Sequence, residues 1–327
     1  MYNMHYNEKI RPEGTSSPLV FGTMLDKGLN EILEGRTVVD AEAVAYEVSK
    51  MLLTETVTVD SRDYDADLVT NDFKNELTHY LKLNGWTGDD VDVLAQGLFA
   101  KLKAGEELSK NQRGALMNLI RASMVEKCRL MFAAFQKEVA PLFEKITAVQ
   151  KVVKRGIIDF EGKLKKDGRI VTVDNKSAAR PYERDAIQWS VQLAGYGAET
   201  AMYAVFSKQI KKNRINTCVE CGAVANGREQ TCAVMVTGKP GKAKTPTRCG
   251  GSFSSIVRPE VSVQILIDDV TPHARALVEQ AYADTEKLIE AQVFPKNLTA
   301  CKDQFGKPCA YLNLCWFGDA KGLKKHE

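Results

Sequence analysis

Asp159, Asp174 and Lys176 are the side chains of this sequence best placed for chemistry on a phosphodiester. Two runs, Gly156-Ile-Ile-Asp159-Phe-Glu-Gly-Lys-Leu164 and Arg169-Ile-Val-Thr-Val-Asp174-Asn175-Lys176, read as short strands joined by a Lys-Lys-Asp-Gly turn. Residues i and i+2 of a strand share a face, so Asp174 and Lys176 point the same way. The turn at Asp167-Gly168 brings Asp159 beside them. Carboxylates at a strand end can hold one or two hard cations such as Mg²⁺ or Mn²⁺, which polarise a phosphoryl oxygen and activate water. A lysine there orients or deprotonates the water and offsets charge in the transition state. Taken alone, the trio also fits a solvated surface hairpin with a weak ion pair. Gln192 and Tyr196 follow at helical i, i+4 spacing, an amide and a phenol on one face that can reach a phosphate or base over the hairpin.

Seven of the eight cysteines lie after residue 217. Cys218-Val-Glu-Cys221-Gly222 has the form of half a zinc knuckle, and Cys232 and Cys249-Gly250-Gly251 complete four thiolates for tetrahedral Zn²⁺. This stretch, residues 215–253, has little apolar content and needs a staple to fold. Lysines and arginines surround it, among them Lys208, Lys211, Lys212, Lys239 and Arg248, which suits contact with a phosphate backbone. Cys128 sits in an apolar helical pattern with Met124 and Met131 and reads as core.

The elements that must position these groups fall into two halves. Residues 1–150 read as helices: one follows Gly22, one carries Val44, Val48, Met51 and Leu52, one covers Asp72–Leu83, and Thr87-Gly-Asp-Asp caps the next. Apolar spacing from Lys110 to Val149 predicts a long helix broken at Pro141. The acidic run Asp60–Asp67 reads as a solvated connection. Beyond the hairpin, the pattern predicts a helix from Glu183 to Tyr196, strands over Ala201–Ser207 and Val261–Ile267, and a helix from Thr271 to Gln292. The fold class expected is α/β, helices around a mixed sheet with an insert at one edge.

Composition agrees with a globular chain. The 327 residues carry a net charge of +3, with 44% hydrophobic and 27% charged residues. Residues 1–150 hold −6 and residues 151–327 hold +9, so the later half is the expected face for a polyanion. No apolar run approaches the ~18 residues of a membrane span. The start, Met1-Tyr-Asn-Met-His-Tyr6, shows no secretory h-region, and a cytoplasmic location is expected.

Four pieces in order resemble the RecB-type branch of the PD-(D/E)xK nucleases, which includes phage exonucleases and the exonucleases of CRISPR adaptation. They are Ser17-Pro-Leu-Val-Phe-Gly-Thr-Met-Leu-Asp26, Gly156-Ile-Ile-Asp159, Val173-Asp174-Asn175-Lys176 and Gln192-Leu-Ala-Gly-Tyr196. The resemblance spans residues 17–315, and Asp26 stands where many members have a metal-binding histidine. It implies a restriction-endonuclease-like core over residues 1–214 and 254–327, with 55–150 as a helical elaboration, 215–253 as a zinc-binding insert and 294–327 as a tail. It implies Asp26, Asp159, Asp174 and Asn175 as ligands of Mg²⁺ or Mn²⁺, Lys176 as the catalytic lysine, and Gln192 and Tyr196 as strand-positioning groups. Cys301, Cys309 and Cys315 resemble the tail segment that holds a [4Fe–4S] cluster in such proteins, although the family's fourth, N-terminal cysteine has no counterpart before Cys128. A cluster, a three-cysteine site and reduced buried thiols all remain open for that tail. DNA is the implied partner, with a helicase or other replication or recombination protein beside it. The contrasting expectation is a non-catalytic DNA-binding or assembly protein on the same fold.

Overall fold

The computed structural model describes residues 10–12, 16–54, 57–59, 61–83, 86–88, 90–225, 231–236, 247–293 and 323–325. A short strand β1 (Ile10–Pro12) leads to helix α1 (Ser17–Leu33), whose buried Val20, Phe21, Met24, Leu25, Leu29 and Ile32 recur every three or four residues. Helix α2 (Val38–Leu52) opens on a capping box at Thr37 and Asp40. At its end Met51 and Leu52 are exposed, so the apolar stripe stops at Val48. Helices α3 (Asn71–Leu83) and α4 (Val91–Lys103), the latter capped by Asp90, pack through Leu77, Leu81, Val91 and Ala95 on Ala115 and Leu119 of α5 (Lys110–Ala134).

The expected helix to Val149 ends earlier. After α5 come one π turn (Phe135–Val139) and one 3-10 turn (Ala140–Leu142), and then strand β2 (Phe143–Val153). Ile146 and Val149 satisfy a helical period, but they belong to an edge strand with one packed face, where apolar residues are too sparse to fix the period. Strands β3 (Gly156–Leu164) and β4 (Ile170–Ala178) form the expected hairpin. The helix expected from Glu183 shrinks to α6 (Val191–Gly195). Residues 183–190 form successive i to i+3 turns instead, and the Ser190 side chain caps α6 by accepting from Leu193 N–H.

Strand β5 (Thr200–Ser207) is followed by β6 (Lys211–Cys218), β7 (Met235–Val236), β8 (Thr247–Arg248), β9 (Phe253–Glu260), β10 (Val263–Asp269), α7 (Pro272–Glu290) and β11 (Leu323–Lys325). The five-stranded sheet runs β10-β5-β4-β3-β2; β4 and β5 are parallel and every other pair is antiparallel. The molecule is thus α/β with a mixed central sheet and a helical N-terminal half. Strand β5 shows how its two faces are covered. Met202, Ala204 and Phe206 face α1, α2 and α5, while Ala201, Tyr203 and Val205 face α6 and α7. Phe135, Phe143 and Phe160 pack edge to face at the centre of the larger core.

Beside the sheet, β6 and β9 form a separate antiparallel hairpin, and β7 pairs with β8 at its far end. The acidic run is not simply a solvated connection. Short 3-10 turns at Ser61–Asp63 and Ala66–Leu68 bury Leu68, and Lys212 of β6 reaches Asp65 at 3.0 Å and Asp67 at 2.5 Å. No helix among the described residues is long and apolar enough to cross a membrane.

Candidate active site and cysteine centre

A fork in the sheet creates the cleft. The β3–β4 ladder stops at Phe160 opposite Val173. Below that point β3 stays with β2, to Val153 opposite Gly156, whereas β4 continues along β5, to Ala178 opposite Ser207. Asp159 and Asp174 are the first residues past the fork. The Asn175 N–H, having lost a strand partner, donates to Asp159 Oδ2 at 2.7 Å, so a side chain takes over a ladder bond.

A cavity of about 410 Å³ opens at the fork, and Asp26, Asp159, Asp174, Lys176, Gln192 and Tyr196 all line it. The residues singled out from the sequence therefore converge, although they come from α1, two strands and α6. Asp174 is 2% exposed, and Lys176 Nζ lies 2.6 Å from its Oδ2. Gln192 ties the group together: its Oε1 accepts from Lys176 Nζ at 3.0 Å, and its Nε2 donates to Asp174 Oδ1 at 3.1 Å and to the Tyr196 hydroxyl. Tyr196 is the C-cap of α6 and keeps its i, i+4 relation to Gln192 despite the shortness of the helix. Its ring lies on Gly156, where a Cβ would come within 2.8 Å of Tyr196 Cε1 and the backbone has φ +152°. Arg155, next in line, stacks on Tyr282 of α7 and pairs with Glu279 and Glu286, which clamps the β2–β3 turn against that helix.

Burial is the main cause of the unusual ionisation here. It pushes the Asp159 carboxyl up to about 7, the neighbouring Asp174 charge adding to the effect. Burial likewise raises Asp174 and Asp26. For Lys176 burial disfavours the ammonium, but the Asp174 carboxylate outweighs it and the pKa rises. Lys176 is therefore held charged, which favours its charge-offsetting role over that of a base.

One positioning residue escaped the sequence reading. Gln150 lies between Val149, opposite Phe160, and Lys151, opposite Ile158, and so faces Asp159 across the β2–β3 pair. Its Nε2 donates to Asp26 Oδ1 at 3.1 Å, from a backbone with φ +49° that a glutamine seldom adopts. The expected helix ran up to the preceding Val149, and no local signal marks a single residue in the left-handed region. Trp189, in the turns that precede α6, is 77% exposed, with its indole N–H donating to Asp185.

Asp26, Asp159 and Asp174 supply oxygen donors, the ligand type that hard divalent cations take. Asn175 Oδ1 is buried without a hydrogen-bond partner, Asp174 Oδ2 meets the Lys176 ammonium, and three carboxylates share one cavity. Their oxygens are more widely spread than the four thiols described next. Lys176 occupies part of the negative field between them.

The cysteines form a tighter centre. The sulfurs of Cys218, Cys221, Cys232 and Cys249 all lie within 4.8 Å of one another, the one such ligand group among the described residues. The Cys218–Cys249 separation is 3.5 Å and Cys221–Cys232 is 3.6 Å, far beyond a disulfide bond and close to the ~3.8 Å edge of a tetrahedral tetrathiolate zinc site. This arrangement can hold a metal ion such as Zn²⁺. The gap from Cys232 to Cys249 is bridged by the β7–β8 pair. Cys232 N–H donates to Gly251 O and Gly250 N–H to Cys232 O, so the second half of the centre is closed by main-chain bonds across the gap. Gly222 and Gly250 turn with positive φ, and a Cβ on Gly251 would meet Cys218 Sγ at 2.7 Å. Main-chain donors at Cys221 and Glu220 pull the Cys218 thiol down to about 7, whereas burial and the neighbouring thiols push Cys232 and Cys249 up, as four crowded thiols without a cation must. Cys128 is fully buried in the larger core, as its apolar setting suggested. Cys301, Cys309 and Cys315 lie outside the described residues, as do Lys239, Lys242 and Lys244.

Comparison with protein-family models, with curated proteins and with solved structures finds no match to this chain.

Proposed function

We propose that this chain is a divalent-metal-dependent deoxyribonuclease, an exonuclease built on a PD-(D/E)xK core of the RecB type. The observation that carries the reading is the forked sheet. It gathers a buried and a half-buried carboxylate, a charged lysine, an amide and a phenol around one cavity, with Asp26 arriving from α1. A buried cluster of carboxylates is costly unless a cation or an anion-poor partner compensates it, and binding Mg²⁺ or Mn²⁺ is the simplest use of that arrangement.

Asp159, Asp174 and Asp26 would hold the ion through oxygen, with Asn175 contributing a further oxygen. The ion would supply charge stabilisation at the phosphoryl oxygens and a water acidic enough to attack at neutral pH. Lys176, held as an ammonium, offsets the charge that develops on the phosphoryl oxygens. Gln192 fixes the Lys176 and Asp174 side chains through its two ends, and it presents Tyr196 to the strand. The products of such hydrolysis are a phosphomonoester and a free hydroxyl. The Cys218, Cys221, Cys232 and Cys249 centre has a structural role in this reading, and a [4Fe–4S] cluster on Cys301, Cys309 and Cys315 would be structural too.

The test is degradation of end-labelled single- and double-stranded DNA with Mg²⁺ or Mn²⁺, comparing wild type with Asp174→Asn. Ladders that shorten from one end in wild type and vanish in EDTA and in the variant support the proposal. DNA binding without cleavage under every metal condition would instead make the chain a binding or assembly protein.

A further inference from the structure

A second cavity, with a mixed apolar and charged lining, adjoins the catalytic one. Its volume is about 470 Å³, within the range of small-ligand pockets. Pro18 and Lys208 line both cavities, and the second is completed by Arg62, Asp63 and Lys127 among others. It lies near the N-terminal end of α1, where the helix dipole is positive and the first turn carries no acidic residue. The main-chain donors there are already spent, Ser17 N–H on Thr58 O and Leu19 and Val20 N–H on Ser16 O, and Pro18 has none.

Lys127 is the unusual group. It projects from α5 between core residues Met124 and Cys128 and is only 9% exposed. Among the described residues its ammonium makes no hydrogen bond or ion pair, and neither does that of Lys208, which rests over the Phe21 ring. Burial pulls both lysines below the ordinary lysine range, and the Lys127 charge presses Lys208 further down; Asp65 and Asp63 partly offset this for Lys127. Asp63 is the carboxylate of the lining, and it already accepts from the Ser17 hydroxyl at 2.7 Å. A buried ammonium, Lys127, and a half-buried one, Lys208, face one cavity, and two lysines converging there suit a tetrahedral oxyanion.

We propose that this cavity binds a phosphoryl group through Lys127 and Lys208. Its shared wall with the catalytic cavity makes it a subsite for a second phosphate of the same strand. Assigning that phosphate to a nucleic acid rests on the nuclease reading; the anion site itself does not. The source is either a terminal phosphomonoester or an internal diester, since both present the same oxyanion chemistry.

The experiment titrates the full chain in EDTA with inorganic phosphate, following heat by calorimetry and the thermal midpoint. Wild type and Lys176→Ala should bind phosphate alike, while Lys127→Met and Lys208→Met should each weaken it about tenfold or more. Lys208→Met keeps the test decisive should Lys127→Met fail to fold. A second arm compares 5′-phosphorylated, 3′-phosphorylated and unphosphorylated oligonucleotides, still in EDTA. An advantage of one phosphorylated end that disappears in the lysine variants identifies a terminal monoester; equal binding of all three that falls in those variants identifies an internal diester. Phosphate binding that is absent in wild type, or unchanged in both lysine variants, overturns the proposal. Phosphate binding retained by a chain that never cleaves DNA would sink the nuclease reading and leave this site standing.

Discussion

The fold moves the protonation of the Asp159 carboxyl to near neutrality, and its position at the fork explains why. Its folded pKa of about 7 lies above the ~4 of an unfolded aspartate. Between those values the folded state binds a proton that the unfolded state lacks, so the stability this group contributes is fully present below about 4 and is lost as pH rises through 7. In EDTA, wild type should lose stability relative to Asp159→Asn between about pH 5 and pH 8, by on the order of a few kcal/mol. Denaturant melts across that range check it; parallel pH profiles for the two proteins would contradict the burial argument. Gln192 makes a different prediction. Gln192→Leu removes the links to Lys176, Asp174 and Tyr196 from a site at the rim of the core, so cleavage should fall on the order of a hundredfold while the melting temperature hardly moves. Single-turnover kinetics beside a thermal melt separates the two effects.

At the scale of elements, two glycines set close approaches with different consequences. A Cβ at Gly28 would meet Phe132 Cζ at 2.1 Å, so Gly28→Ala should push α1 off α5 and cost about 1–3 kcal/mol. Gly156→Ala should cost a similar amount and, unlike Gly28→Ala, displace Tyr196 and slow cleavage in the protein that remains folded. Denaturant midpoints and rates for both variants test the contrast. The hairpin that carries Asp159, Asp174 and Lys176 was legible because strand alternation and an Asp-Gly turn are local signals. Strand β2 was not: it continues a helical apolar spacing, and only its pairing with β3 reveals the strand. Gln150 was lost with it. The length of α6 was equally hidden, since residues 183–190 spend their side chains on Asp268, Asp185 and Tyr203 rather than on a helix face.

For the whole molecule, the forked sheet and the cysteine hairpin are separate constructions joined by β6 and β9. The expectation of four thiolates came from spacing alone, and the structure adds why the long gap is tolerated: β7 and β8 close it. Purified protein should carry one zinc per chain by elemental analysis, with Cys218→Ser plus Cys249→Ser abolishing it. Lys212 binds the hairpin to Asp65 and Asp67, so loss of the metal should also loosen the acidic segment, readable as faster amide exchange over residues 61–68. The charge division of the sequence, −6 before residue 151 and +9 after it, is thereby partly neutralised inside the fold.

The central claim is that the fork assembles a metal-dependent phosphodiester hydrolase. Its most direct test is the single-turnover cleavage rate of end-labelled DNA in Mn²⁺ or Mg²⁺, for wild type against Lys176→Ala. Removing the ammonium that offsets transition-state charge should lower the rate on the order of a hundredfold or more, with EDTA abolishing the remainder. Cleavage that is metal-independent, or that survives Lys176→Ala unchanged, would contradict it.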